Sequence, residues 1–132
     1  MKIESQRVTV NAFPEKVFAF LSDANNLKEL LPTDQISDFE GTEKTCSFKV
    51  QGGITITLVQ DNLVPFERIE MKSGEKSPFP FTLTIFLEEI DDKTVGYIDF
   101  DGEVNAFLKM MVQKPLTNLF NYMSQKMKEK YD

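Results

Sequence analysis

The sequence predicts an α+β fold, a curved antiparallel sheet of about six to seven strands wrapped on one long C-terminal helix. Three observations carry this. Apolar and polar residues alternate in five successive segments of the middle and late chain. The spacing changes after Glu103 to that of a helix. Two short helical segments sit between the first strand and the rest.

Lys2 to Asn11 holds β-branched residues and polar alternates, a first strand. Pro14 stands where a helix favours its first residue, and Phe13, Val17, Phe18 and Leu21 form an apolar face. That helix stops near Ser22 and Asp23, either of which can cap a second short helix through Asn25, Leu27, Leu30 and Leu31. Pro32 ends it.

A meander follows. Ile36 to Glu40 is a short strand, with a turn over 41–44. Thr45 to Gln51 places Cys46, Phe48 and Val50 on one face, and Gly52-Gly53 is a two-residue hairpin signal. Ile54, Ile56 and Leu58 alternate with Thr55 and Thr57. Asn62 to Pro65 turns into a strand over Phe66 to Lys72. After a polar loop with Gly74, Pro78 and Pro80, Phe81, Leu83, Ile85 and Leu87 share a face. Asp91-Asp92 turns the chain into its last strand, where Ile98 and Phe100 oppose Tyr97, Asp99, Asp101 and Glu103. Such alternation makes a sheet with one wet and one dry face.

The final element, Val104 to Tyr131, is a helix roughly 40 Å long at ~1.5 Å per residue. Its spacing assigns Leu108, Met111, Val112, Pro115, Leu116, Leu119, Met123 and Met127 to a buried stripe. Gln113, Lys114, Thr117, Asn121, Ser124, Gln125 and Lys128 fall on the opposite face. This helix is the main cover for the apolar strand faces, and Pro115 predicts a kink near its middle.

The chain of 132 residues has the size of one domain, 1–132, able to bury its own core. Its apolar set is biased to 12 Phe and 6 Met with no Trp, a soft interior that suits irregular apolar surfaces. Fifteen basic against 21 acidic residues give a net charge of −6, which argues against nucleic-acid partners. Arg7 and Arg68 are the only arginines, too few for a phosphate-binding cluster. Cys46 is alone and fits a reducing compartment. Met1 to Val10 carries no signal-peptide core, and no apolar run approaches the ~20 residues of a membrane span. The expectation is a cytoplasmic protein without stable membrane insertion.

The order of elements resembles the helix-grip fold of the START-like, or SRPBCC, superfamily, which includes birch-pollen-allergen-like proteins, polyketide cyclases and lipid-transfer domains. "VNAFPEKVFAFLSDANNLKELLP" over 10–32 is similar to the family's first strand and paired helices. "FLKMMVQKPLTNLFNYMSQKMK" over 107–128 is similar to its gripping helix. The resemblance spans nearly the whole chain but contains no catalytic signature. It implies a cavity between sheet and helix for lipids, sterols or polyketide-like molecules. Retinoid- and fatty-acid-binding barrels also open with a strand and two helices, yet they end in strands.

The chain has no His, the commonest general base and metal ligand. With one Cys, no phosphate-binding glycine loop and no CxxC spacing, nucleophilic and zinc chemistry are disfavoured. No catalytic residue, metal ligand or cofactor is assigned. Asp99, Asp101 and Glu103 could bind a divalent cation but read better as the solvent side of a strand. Arg68 would pair an anionic head group if it pointed inward, and a neighbouring carboxylate if outward. Tyr97 falls on the charged face, whereas Tyr122 edges the helix stripe and is the better hydroxyl to orient a ligand. Phe107 and Met110 lie off the stripe, to line a cavity mouth, meet another subunit in a homodimer, or stand exposed.

The expected ligand-binding residues are Phe48, Ile56, Leu58, Arg68, Phe81, Leu83, Phe100, Leu108, Met111, Val112, Leu119 and Tyr122. The same apolar residues would build a filled core. The reading is a binder or carrier of a small hydrophobic or amphipathic ligand. The alternatives are a metal-independent cyclase- or dehydratase-like enzyme and a co-chaperone-like interaction module with a filled core.

Overall fold

A computed structural model describes residues 1–51 and 53–132. Its strands are β1 (Lys2–Glu4), β2 (Val8–Val10), β3 (Ile36–Gly41), β4 (Thr45–Val50), β5 (Ile54–Val64), β6 (Arg68–Ser73), β7 (Phe81–Ile90) and β8 (Lys93–Gly102). Helix α1 (Pro14–Leu21) and a 3-10 helix (Ala24–Leu30) follow β2, and α2 (Ala106–Lys130) closes the chain. The strands form one antiparallel sheet in the order β1-β8-β7-β6-β5-β4-β3, with β2 also on β8.

The single first strand expected over Lys2 to Asn11 is two. Ile3 pairs with Phe100 and Thr9 with Val95, so the register slips by one residue between them. The slip turns the Ser5 side chain onto β8, where its Oγ accepts the Ile98 N–H at 2.8 Å. The second short helix is a 3-10 helix, capped by Asp23, whose carboxylate accepts the Asn25 N–H.

In the middle of the chain β5 runs on to Val64, through the positions that read as a turn, and a bulge between Gln60 and Asn62 absorbs the extra residue. The Gly52-Gly53 turn lies partly outside the described residues; Gly53 itself has φ +104°, a region that suits glycine. Asp91 and Asp92 have φ +51° and +63°, as a tight hairpin turn needs.

Ile69, Met71, Phe81, Leu83, Ile85, Ile98 and Phe100 alternate with polar neighbours and are buried under the helices. Helix α2 presents Val112, Leu116, Leu119, Phe120, Met123 and Met127 to them. Two positions that the spacing gives to this stripe, Met111 and Pro115, are exposed, and Leu108 is only half-buried. Phe120 and Ser124 are buried instead. The buried arc has rotated by about one position, because Phe120 fits against Phe100 and Ser124 finds a polar partner in Ser5. The helix is also unevenly anchored. Its C-terminal half is held by five buried apolar side chains, whereas among 106–115 only Val112 is fully buried.

Candidate ligand-binding site

Phe48, Ile56, Leu58, Phe81, Leu83, Phe100, Val112 and Leu119 all join one buried cluster, none more than 4% exposed. Under β7 and β8 this cluster is filled by aromatic rings. Phe100 lies 5.0 Å from Phe81 and 5.1 Å from Phe120 between ring centroids, and Phe79 closes the group 5.9 Å from Phe81. Gly102 makes room for it, since a Cβ there would sit 3.0 Å from both the Phe79 and Phe100 rings.

Space remains toward β3 and β4. A cleft of about 410 Å³ opens where α2 passes the end of the sheet, lined by Gln35, Val50, Gln51, Lys114, Pro115, Asn118 and Leu119. Its apolar floor is Val50 and Leu119, both members of the core. Amides from Gln35, Gln51 and Asn118 and the Lys114 ammonium stand around it, donors that can meet a carboxylate, carbonyl or hydroxyl. Pro115 belongs here for a local reason. It gives the Met111 carbonyl no N–H partner, so the helix can bend over the cleft.

Among the expected ligand-binding residues only Leu119 lines this cleft. Leu108 borders the core, while Met111 and Tyr122 are 55% and 37% exposed. Arg68 sits on the outer face, opposite Ile69 and Met71, where its Nε donates to Glu70 at 2.7 Å. That hydrogen bond holds the Glu70 carboxyl below its ordinary range. The polar lining of the cleft gave no sequence signal, since Gln35, Gln51 and Asn118 look like any solvated position. Pro115 and Leu119 were the readable pointers.

The outer face is a charged and aromatic surface. Tyr97 stacks on Phe86 at 5.1 Å, and the Arg7 guanidinium lies 4.0 Å from the Tyr97 ring. A second hollow of about 400 Å³ there is lined largely by Glu40, Thr42, Thr45, Ser47, Thr57, Glu75 and Lys76. Cys46 and Val59 also line it, and none of its residues comes from α2. The remaining nucleophile, Cys46, is buried, and burial pushes its thiol up to about 12, which suppresses the reactive thiolate.

The fold has counterparts in solved structures. A START superfamily protein from Mycobacterium smegmatis is similar at 14% identity over 98% of this chain and 96% of its own, with a TM-score of 0.75. The KanY protein is similar at 15% identity over 99% and 97%, TM-score 0.78. A protein from Thermus thermophilus matches at 16% identity over 99% and 97%, TM-score 0.75. The chain has a START-like, helix-grip fold. No protein-family model matches it, and neither does any curated protein. At such identities the likeness carries the START-like fold alone. Among the described residues of this START-like fold no helix is long and apolar enough to cross a membrane.

Proposed function

We propose that the protein binds a small hydrophobic or amphipathic molecule in the cleft between α2 and the β3–β4 end of the sheet. The observation that carries the reading is the cleft itself. At about 410 Å³ it falls within the ~300–1,000 Å³ of small-molecule sites. Its floor of Val50 and Leu119 suits an alkyl or ring portion, and Lys114 at the rim suits an anionic or polar end. The START-like fold supports the same reading. A fatty-acid titration followed by NMR tests it: the amides of Gln35, Val50, Gln51 and Asn118 shift together. Shifts confined to the outer face of the sheet contradict it.

A second reading, an interaction module with a filled core, is favoured by one observation. The rings of Phe79, Phe81, Phe100 and Phe120 occupy the interior that a deep cavity would need. A protein that takes up no amphiphile at any site would move the balance to it.

A further inference from the structure

The first turns of α2 are apolar on two sides. Val112 faces the core, while Phe107, Met110 and Met111 are 73%, 84% and 55% exposed. The three exposed side chains follow i, i+3, i+4 spacing, so they form one outward stripe. At ~100° per residue that stripe lies opposite the face defined by Val112, Leu116, Leu119 and Met123. Nothing in the described structure covers it.

Charge narrows what can. Between Ala106 and Lys130 the helix carries five lysines (109, 114, 126, 128 and 130) and one acid, Glu129, a net +4 in a chain of net −6. The rest of the chain therefore carries −10. Lys126, Lys128 and Lys130 sit in the last turns of the helix, paired with Glu129, Asp132 and Glu29, whereas Lys109 and Lys114 stand in the first three turns, which hold no acid. Lys109 and Lys114 form no ion pair among the described residues. The nearest acids in sequence before the helix, Asp101 and Glu103, stand on the solvent side of β8 and its end. The positive end of the helix dipole adds to the lysines.

A second copy is a poor occupant. Its approach would set one net-positive helix against another. Three side chains of ~200 Å² or less, at these exposures, offer about 400 Å², half of the ~800 Å² per partner of a stable interface.

We propose that the first three turns of α2 dock on an anionic lipid surface. Phe107, Met110 and Met111 enter the acyl boundary, Lys114 continues the stripe at phosphate level, and the acidic remainder of the protein stays in water. Lys109 lies behind the stripe, still within about one Debye length of that surface across a helix ~10 Å wide. Phe107, Met110 and Met111 do not line the cleft, and Lys114 is the one residue the two sites share.

The full chain is sedimented with vesicles of equal parts phosphatidylcholine and phosphatidylserine, and with phosphatidylcholine alone. It binds the anionic vesicles, loses them as salt rises, and leaves the neutral ones in the supernatant. The double substitution Phe107→Ser and Met110→Ser lowers anionic binding by about tenfold or more, with circular dichroism unchanged. Because the chain has no Trp, Met110→Trp adds a clean probe whose emission moves to the blue on anionic vesicles only. Equal binding to both lipids overturns the proposal, as does undiminished binding of the double variant. So does a blue shift already present without vesicles, the sign that a second copy covers the face.

Discussion

Ser5 and Ser124 share a hydrogen bond of 2.7 Å in the seam where the break between β1 and β2 meets α2, and both side chains are buried. Ser5 Oγ donates to the Gln6 carbonyl at 3.1 Å and accepts the Ile98 N–H, so the Ser124 hydroxyl is left to donate to Ser5. Beside it the Gln6 N–H donates to Asn121 Oδ1 at 2.7 Å. This polar seam fixes the rotation of α2 on the sheet, and with it which helix residues overhang the cleft.

The two serines are therefore unequal. Ser124→Ala removes one hydrogen bond and leaves Ser5 satisfied, at about 1 kcal/mol. Ser5→Ala strands the buried Ile98 N–H as well, at about 2–3 kcal/mol. Urea unfolding of the two variants checks the order. Equal losses would mean that Ile98 finds another acceptor.

Cys46 sets a pH dependence. Its folded thiol is pushed up to about 12, above the ordinary 9.0 of the unfolded chain, so the stabilising difference is complete below pH 9. As pH rises from about 9 toward 12 the unfolded thiol ionises first and that stability is lost, at up to ~1.4 kcal/mol per pH unit. Denaturant titrations across this range show a steeper loss for the parent than for Cys46→Ala. Parallel curves would contradict the shift.

Gly96 lies directly beneath Met127, and a Cβ there would stand 2.7 Å from the Met127 Cε. Gly96→Ala must push the Met127 methyl aside, which costs about 1 kcal/mol because a methionine tail can bend. In Gly96→Ala paired with Met127→Ala the clash is gone, so a double-mutant cycle gives a non-zero coupling. Additive losses would place Met127 elsewhere.

Much of this architecture is legible in the residues because the sheet has one dry face. Alternation at Cys46, Phe48 and Val50, or at Phe81, Leu83 and Ile85, specifies both a strand and its orientation. The break at Ser5–Arg7 escapes that logic, since a one-residue slip is decided by a hydrogen bond to β8 over 90 residues away. Helix rotation escapes it too. Met111 and Phe120 are both apolar at permissible spacing, and packing against Phe100 together with the Ser5–Ser124 hydrogen bond decides that Phe120 goes in and Met111 stays out. The cleft was least legible of all. It is a gap between elements, and its polar rim has the composition of ordinary surface.

Native mass spectrometry of the protein purified from its own host tests the central claim most directly. The account predicts a retained lipid-like adduct that is lost when Asn118→Trp fills the cleft and kept in Phe107→Ser. Absence of any adduct, with no uptake of added fatty acid, would contradict it.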